Sequence, residues 1–474
     1  MSHSYDAVIV GSGPNGLAAA VVLAEMGRSV LVLEAKPTIG GGCRTAEVTL
    51  PGYHHDICAA IHPMSLVSPL FRRLPLAAHG LQWVHAPAPL AHPFDDGSAA
   101  VLYRSLSATS ETLGEDGGAW TDLMYPFLAD SDSLFAELLK PLRIPRHPFL
   151  VARFGALGLR SCASLVESQF RGAKARALFA GCAAHSFLAL DAAASASFGL
   201  VLALVAHTTD WPCAEGGSQR IVDALAGYLR SLGGSIEVNH EVQGMSDIPA
   251  SRAVLFDLAP RAVERIAGGA LPSYYRKQLL AFRQGPGVFK IDWALNAPIP
   301  WTAPECTQAA TVHLGATFEE LSASERDAVD GRVSSRPFVL VAQQSMFDRS
   351  RAPEDRHTGW AYCHVPHGSP VDMTESIEGQ IERFAPGFRD VILARRTMSP
   401  ADVESHNPNM IGGDIGGGAN DLAQFFFRPT PRWDPYSTPN PRLFLCSSST
   451  PPGGGVHGMC GYWAAQSALG RVLR

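Results

Sequence analysis

The chain has 474 residues, and single hydrophobic cores stop growing at roughly 250–300 residues, so we expect two domains. Hydrophobic residues make up 46% of the chain and charged residues 17%, which excludes the disordered and fibrous classes. A net charge of −6 argues against nucleic acid as a partner, because phosphate binding needs a basic surface. Nine cysteines without a CxxC motif argue against a disulfide scaffold and a metal site, so we expect a cytoplasmic protein.

The first segment, DAVIVGSGPNGLAAAVVLAEMGRSVLVLEA at 6–35, predicts a strand, a glycine turn, a helix and a second strand. Gly11, Gly13 and Gly16 have GxGxxG spacing, which allows a tight turn, close approach of a pyrophosphate and close helix packing. Glu34 ends the second strand, where a carboxylate binds ribose hydroxyls and repels a 2′-phosphate. The segment predicts a dinucleotide site that disfavours NADP and leaves FAD and NAD open.

A second glycine turn follows directly, in AKPTIGGGCRT at 35–45. Binding of NAD does not require this turn or its arginine. It resembles the segment after the acidic residue in FAD-dependent amine oxidases and carotenoid desaturases, where it approaches the cofactor's pyrophosphate. In that pattern the arginine directly follows the glycine pair, whereas here Gly42 holds that place and Arg44 comes two residues later.

The middle of the chain predicts a second domain interrupted by a return to the first. APLAHPFDDGSAAVLYR at 88–104 predicts a hairpin, and 119–206 has a helical pattern broken by prolines. The apolar stretch 192–206 is shorter than the ~20 residues of a membrane span and predicts a buried helix, with a membrane-dipping face as the alternative. An amphipathic helix at 219–232 and a strand that ends at Val242 then return to the nucleotide domain.

The tail segment CSSSTPPGGGVHGMCGYW at 446–463 follows a buried-strand pattern and predicts a helix from Val456 onward. Gly455, Gly458 and Gly461 recur every third residue and leave one helix side almost without side chains. We interpret this side as backing a flavin ring at a positive helix end, with close helix packing as the alternative.

Segments spread along nearly the whole chain carry one resemblance: GSGPNG, GGGCRT, HHDICAAIHP, EGGSQRIVDAL, GPGVFKIDWAL, SMFDRSRAP, NPNMIGGDIGGG and SSSTPPGGGVHGMCG. The chain resembles the bacterial and mitochondrial relatives of phytoene desaturase, within the FAD-containing amine oxidase and carotenoid desaturase superfamily. The resemblance implies non-covalent FAD, a substrate domain with an apolar tunnel, and hydride transfer involving a hydrophobic, isoprenoid-like substrate. Oxygen or a quinone would be the electron acceptor, and peripheral membrane contact is a further expectation.

The predicted fold class is α/β, with a Rossmann-like FAD-binding domain and a discontinuous α+β substrate domain. We assign 1–70, 211–285 and 405–474 to the FAD-binding domain, and 71–210 and 286–404 to the substrate domain. A flavin amine oxidase or isomerase on the same fold is the alternative enzyme. A non-catalytic prenyl-binding protein of the Rab GDP-dissociation inhibitor type is the alternative outside enzymes.

Two histidines are candidate catalytic residues, His457 at the predicted start of the last helix and His62 after the second cofactor loop. Structural roles are the alternative for both. The predicted cofactor-binding residues are Gly11, Gly13, Pro14, Asn15, Gly16, Glu34, Ala35, Gly41, Gly42, Arg44, Thr45, Val242, Gly454, Gly455, Val456 and His457.

Overall fold

The computed structural model of the protein describes residues 5–474. Its helices are α1 Pro14–Glu25, α2 Pro63–Val67, α3 Pro69–Arg73, α4 Leu106–Thr112, α5 Gly117–Leu128, α6 Ser131–Leu138, α7 Pro148–Gly158, α8 Cys162–Gln169, α9 Ala173–Ala184, α10 Ser195–Thr208, α11 Gln219–Ser231, α12 Pro260–Ala267, α13 Ser273–Leu280, α14 Phe318–Val329, α15 Thr374–Phe384, α16 Pro400–His406, α17 Leu422–Phe427 and α18 Met459–Arg471.

The strands are β1 Tyr5–Val10, β2 Val30–Leu33, β3 Thr45–Glu47, β4 His54–Asp56, β5 Trp83–Val84, β6 Ala88–Pro93, β7 Ala99–Leu102, β8 Cys213–Ala214, β9 Ser235–Glu237, β10 Ser251–Phe256, β11 Gly287–Leu295, β12 Ala309–Leu314, β13 Val339–Ala342, β14 His357–Val365, β15 Ile392–Met398 and β16 Leu443–Leu445. Short 3₁₀ turns connect several of these elements.

The first sheet has five strands in the order β16-β10-β1-β2-β9, and every neighbouring pair is parallel. Its central strands are continuous apolar runs buried on both faces, as expected for a parallel sheet covered by helices. Helix α1 packs between α11 and α18 on one face. The prediction of a Rossmann-like parallel sheet is therefore confirmed.

The second sheet has seven strands in the order β15-β11-β14-β13-β12-β6-β7. All neighbours are antiparallel except β12 and β6. The hairpin predicted at 88–104 is present as β6 and β7. This sheet, with α9, α10 and α14 packed on its side of the molecule, forms the second α+β region of the predicted fold class.

Helix α10 covers most of the apolar stretch 192–206, and most of its side chains are buried against α7, α9 and α5. Burial in the protein interior accounts for its apolar composition, as the sequence predicts. Within residues 5–474, no single helix combines the length and apolar character needed to cross a membrane; α7 and α8 reach them only as a pair bent by 94°.

The last helix, α18, begins at Met459, so the prediction of a helix from Val456 onward is wrong by three residues. Gly458 precedes it in the left-handed region at a φ of 68°, a conformation that favours glycine. A Cβ on Gly461 would lie 1.8 Å from the carbonyl oxygen of Asn15 in α1. At Gly458 and Gly461 the close packing of α18 therefore explains the glycines, and the flavin interpretation is corrected there.

Candidate functional site: a nucleotide groove joined to an aromatic chamber

One continuous cavity extends from the carboxyl end of the parallel sheet to the face of the second sheet. The glycine turn after β1 enters it at the N-terminus of α1, where unpaired backbone N–H groups favour phosphate. Thirteen of the predicted cofactor-binding residues line this cavity: Gly11, Gly13, Pro14, Asn15, Glu34, Ala35, Gly41, Gly42, Arg44, Val242, Gly454, Gly455 and Val456.

The carboxylate of Glu34 lies at the end of β2 and is held by four donors. Oε2 accepts hydrogen bonds from the backbone N–H and the hydroxyl of Ser12, with a nitrogen to oxygen distance of 3.0 Å for the former. Oε1 accepts from the N–H of Lys36 at 2.9 Å and from the Arg44 guanidinium at 3.1 Å. A ribose hydroxyl must therefore take the place of one of these donors, and the freely rotating Ser12 hydroxyl is the one that can turn away.

Arg44 is buried and anchored within its own loop. Its Nε and one terminal nitrogen donate to the carbonyl of Thr38 at 3.2 and 2.9 Å, besides the ion pair with Glu34. This geometry orients the Glu34 carboxylate and fixes the second glycine turn. Direct contact of Arg44 with a pyrophosphate stays a prediction.

Asp257, which the sequence analysis missed, lies beneath the glycine turn. Its Oδ2 accepts a hydrogen bond from the N–H of Gly16 at 2.9 Å, and a Cβ on Gly13 would lie 2.6 Å from the same oxygen. Burial raises the pKa of this carboxyl to about 7, and the nearby charge of Glu34 adds to the rise. The signal in the sequence is an aspartate that directly follows the apolar run of β10, a third strand end at the nucleotide edge.

Gly16 and Thr45 do not line the cavity but support it. A Cβ on Gly16 would lie 2.2 Å from the carbonyl oxygen of Gly11, so only glycine fits under the turn. The hydroxyl of Thr45 donates to Asp56 at 2.7 Å and accepts from the N–H of Gln219 at 3.1 Å. Thr45 therefore ties the second cofactor loop to the start of α11.

His62 is buried behind the cavity wall. Its Nε2 lies 2.8 Å from the hydroxyl of Ser218, which itself donates to the carbonyl of Ala59, so the imidazole is the donor. Burial lowers the pKa of His62 to about 4, which keeps the ring neutral near pH 7. The position fits a structural contact between the second loop and α11, and it does not favour a catalytic role.

His457 is also buried and outside the cavity wall. Its Nδ1 accepts a hydrogen bond from the N–H of Met459 at 3.0 Å, so the ring satisfies one of the free donors at the start of α18. Burial lowers the pKa of His457 to about 4. This is the capping alternative, and the predicted roles in catalysis and cofactor contact are not favoured by the geometry.

Asp56, close to the second cofactor loop, forms a buried ion pair with Arg351. It also accepts from the N–H of Ser218 at 2.7 Å, and its backbone carbonyl accepts from the indole of Trp360 at 3.0 Å. One carboxylate thereby connects β4, the start of α11 and the second sheet. These contacts fix the position of the nucleotide groove against the chamber wall.

The chamber end of the cavity lies against the second sheet and α10. Trp360 and Tyr362 alternate on β14 and so share the face that lines it. The other lining residues here are His185, Leu202, Trp211, Thr311 and Leu340. None of these side chains is acidic, and His185 is the only one that can carry a positive charge.

Comparison with known proteins agrees with this architecture. The NAD(P)-binding Rossmann-like domain family matches residues 9–74. A rat protein, pyridine nucleotide-disulfide oxidoreductase domain-containing protein 2, is 27% identical and covers 98% of this chain and 93% of its own length. A zebrafish all-trans-retinol 13,14-reductase is 42% identical, over 20% of this chain and 15% of its own length.

Solved structures extend the likeness to the whole fold. An oxidoreductase from Methanosarcina mazei superposes with a TM-score of 0.64 at 15% identity, covering 98% of this chain and 100% of its own. A putrescine oxidase superposes with a TM-score of 0.61 at 19% identity and full coverage of both chains. The chain has the two-domain fold of these oxidoreductases. The prediction of an enzyme in the oxidoreductase class is confirmed, with a nucleotide-binding Rossmann domain.

Proposed function

We propose that the protein is an FAD-dependent oxidoreductase that transfers hydride between a hydrophobic small molecule and a flavin, as a dehydrogenase or desaturase. One observation carries the proposal: the cavity lined by the glycine turn and Glu34 continues without interruption to the uncharged aromatic chamber. A nucleotide cofactor and an apolar substrate can therefore meet in one enclosed space.

The residues of the groove fit FAD. A Cβ on Gly41 would lie 3.1 Å from the Cα of Gly13, so both glycine turns meet where a pyrophosphate would bind. Beyond this point the loop 453–456 lines the cavity toward the chamber, in the place where a ring system longer than a mononucleotide would continue. Bound there, FAD would supply a two-electron acceptor or donor at its isoalloxazine ring.

The chain itself would bind, orient and exclude water. Backbone N–H groups at the start of α1 favour the phosphates, and Glu34 accepts from ribose hydroxyls. Trp360, Tyr362 and Trp211 present apolar surface that keeps the reacting carbon away from water. Since His62 and His457 lie outside this space, substrate orientation rather than a strong base supports the reaction.

The names of two partial relatives support an isoprenoid-like substrate. Besides the zebrafish retinol reductase, a limonene dehydrogenase from Castellaniella defragrans has a polypeptide that is 31% identical over 23% of this chain. Retinol and limonene are both hydrophobic isoprenoids, and the uncharged chamber suits such molecules. A phytoene desaturase-related activity is the finer form of this proposal, and amine oxidation is the alternative enzyme activity.

The cofactor proposal is tested on the purified protein by its flavin absorbance and by chromatography of the cofactor released on denaturation. We expect FAD, and we expect Gly13→Ala to reduce its content strongly because the new methyl group meets Asp257 Oδ2. Gly155→Ala in α7 is the matched control, since its Cβ would meet nothing within 4 Å. Protein that is colourless and cannot be reconstituted with FAD would refute the proposal.

The substrate proposal is tested by anaerobic bleaching of the bound flavin. Isoprenoid alcohols and hydrocarbons are compared with primary amines on the same preparation, and oxygen and a soluble quinone are then compared as reoxidants. We expect bleaching by an isoprenoid. Bleaching by amines alone would replace this proposal with the amine oxidase alternative.

We also propose that the protein contacts membranes peripherally, through the segment 138–166. This segment carries five basic and no acidic residues in a chain whose net charge is −6. Ile144 and Phe149 within it are each 90% exposed, so apolar tips project among cations such as Arg143 and Arg146. Exposed apolar tips combined with basic charge suit an anionic lipid surface.

The membrane proposal is tested by co-sedimentation with vesicles of phosphatidylglycerol and of phosphatidylcholine. We expect binding to the anionic vesicles that falls with added salt and is lost in the double variant Ile144→Ser, Phe149→Ser. The matched control is Tyr274→Ser with Leu280→Ser, two residues of α13 that are 56% and 54% exposed. Equal loss in both double variants, or no binding at all, would contradict it.

A further inference from the structure

The chamber wall contains a pair of histidines that takes no part in the nucleotide groove. Nε2 of His185 lies 3.1 Å from Nε2 of His313, and the two rings are tilted by 44°. His185 lines the chamber, whereas His313 on β12 is fully buried behind it. One of the two facing nitrogen atoms must donate a proton and the other must accept it, so the pair has a defined polarity.

Burial holds both rings neutral. It lowers the pKa of His185 to about 3 and that of His313 well below the usual value, and each ring would disfavour charge on the other. A single hydrogen then sits between the two Nε2 atoms, and the remaining nitrogen of each ring decides which side supplies it.

Nδ1 of His313 faces the backbone of α9. A Cβ on Gly181 would lie 2.5 Å from this Nδ1, and the atom has no hydrogen-bond partner among residues 5–474. A buried N–H in this position would lack an acceptor and would crowd the glycine Cα. A bare lone pair is the smaller penalty, so Nδ1 of His313 carries no hydrogen and its Nε2–H donates to His185.

The polarity of His185 follows. Its Nε2 accepts from His313, so its own hydrogen is on Nδ1. That Nδ1 has no hydrogen-bond partner among the described residues and keeps contact with the open cavity. The hydroxyls of Thr311 and Tyr362 on the same wall can either donate or accept, so His185 is the one fixed donor among the chamber-lining residues that the structure describes.

We propose that His185 and His313 form an oxygen-recognition site, in which His185 donates an Nδ1–H hydrogen bond to an uncharged oxygen of the chamber's ligand. The ligand class is a hydrophobic ketone, aldehyde, ester or alcohol, since the wall offers a neutral donor and no carboxylate to balance an ammonium group. The inference deepens the proposed function and rests on it for the ligand's role as substrate.

The experiment uses three ligands of similar shape, benzylacetone, butylbenzene and phenylbutylamine. Their affinities for the purified full-length protein are measured by quenching of tryptophan fluorescence, because Trp211 and Trp360 line the chamber. We expect benzylacetone to bind more tightly than the other two. Replacing His185 by Phe should weaken benzylacetone on the order of tenfold and change butylbenzene little.

Two further variants separate a donor role from a structural one. Asn carries its N–H where His has Nδ1, so His185→Asn should keep the preference for the ketone. Gln carries its amide at the position of Nε2, so His185→Gln should lose it. Circular dichroism and the urea midpoint check that each variant folds.

The inference is overturned if His185→Phe keeps the ketone preference, or if Asn and Gln behave alike. Nitrogen NMR of histidine-labelled protein gives an independent measure, and a proton on Nε2 of His185 would also overturn it. Protein that shows the ketone preference yet binds no flavin would refute the proposed function and leave this site standing.

Discussion

Replacing Asp257 by Asn should change how the stability of the protein depends on pH. Asp257 lies beneath the glycine turn, accepts from the N–H of Gly16 and makes no ion pair with the residues that the structure describes. Burial raises its pKa from 3.8 to about 7. A raised pKa of a carboxyl means that the folded state holds the proton more tightly than the unfolded state does.

The sign and size follow from that difference. The contribution of Asp257 to stability is fully present below its unfolded pKa, near 4, and is lost as pH rises through about 7. The whole difference corresponds to about 4 kcal/mol, of which about 2–3 kcal/mol falls between pH 5 and pH 8. Asn keeps an oxygen for the Gly16 N–H and removes the titration, so the variant gains on the native protein as pH rises.

The assay is urea unfolding of both proteins at several pH values from 5 to 8, followed by circular dichroism and by flavin release. Asp372→Asn is the matched control, because hydrogen bonds from Thr374 lower the pKa of that exposed carboxyl and it stays ionised across this range. Stability curves for the native protein and Asp257→Asn that run parallel from pH 5 to pH 8 would refute the reasoning.

Two further predictions concern packing and the buried ion pair. Arg351→Met should lower the free energy of unfolding by roughly 3–5 kcal/mol, because it leaves the buried Asp56 carboxylate without its counterion; the exposed Arg349→Met should change it little, and equal urea midpoints would contradict this. Gly461→Ala should destabilise the protein and weaken cofactor retention, because its methyl group meets the backbone of α1. Gly470→Ala, which meets nothing within 4 Å, is the control in thermal unfolding, and matching melting temperatures would rule out the contact.

Local patterns predicted the nucleotide half of the site well. The GxGxxG turn, the acid at the end of β2 and the second glycine turn are consecutive in the chain, and their geometry depends on short-range backbone rules. Thirteen predicted residues accordingly line one cavity. The tail was harder, since glycines at helical spacing suit both a flat ligand and a close helix, and only the distance from Gly461 to Asn15 distinguishes them.

By itself, the sequence determined the fold class, the dinucleotide turn and Glu34, because strand, turn and helix signals act over a few neighbouring residues. Only the tertiary structure decided which buried polar groups matter. Asp257 meets Gly16 across 241 positions, and His185 meets His313 across 128. The protonation and orientation of such groups depend on neighbours that are distant in the chain, and no local pattern carries that information.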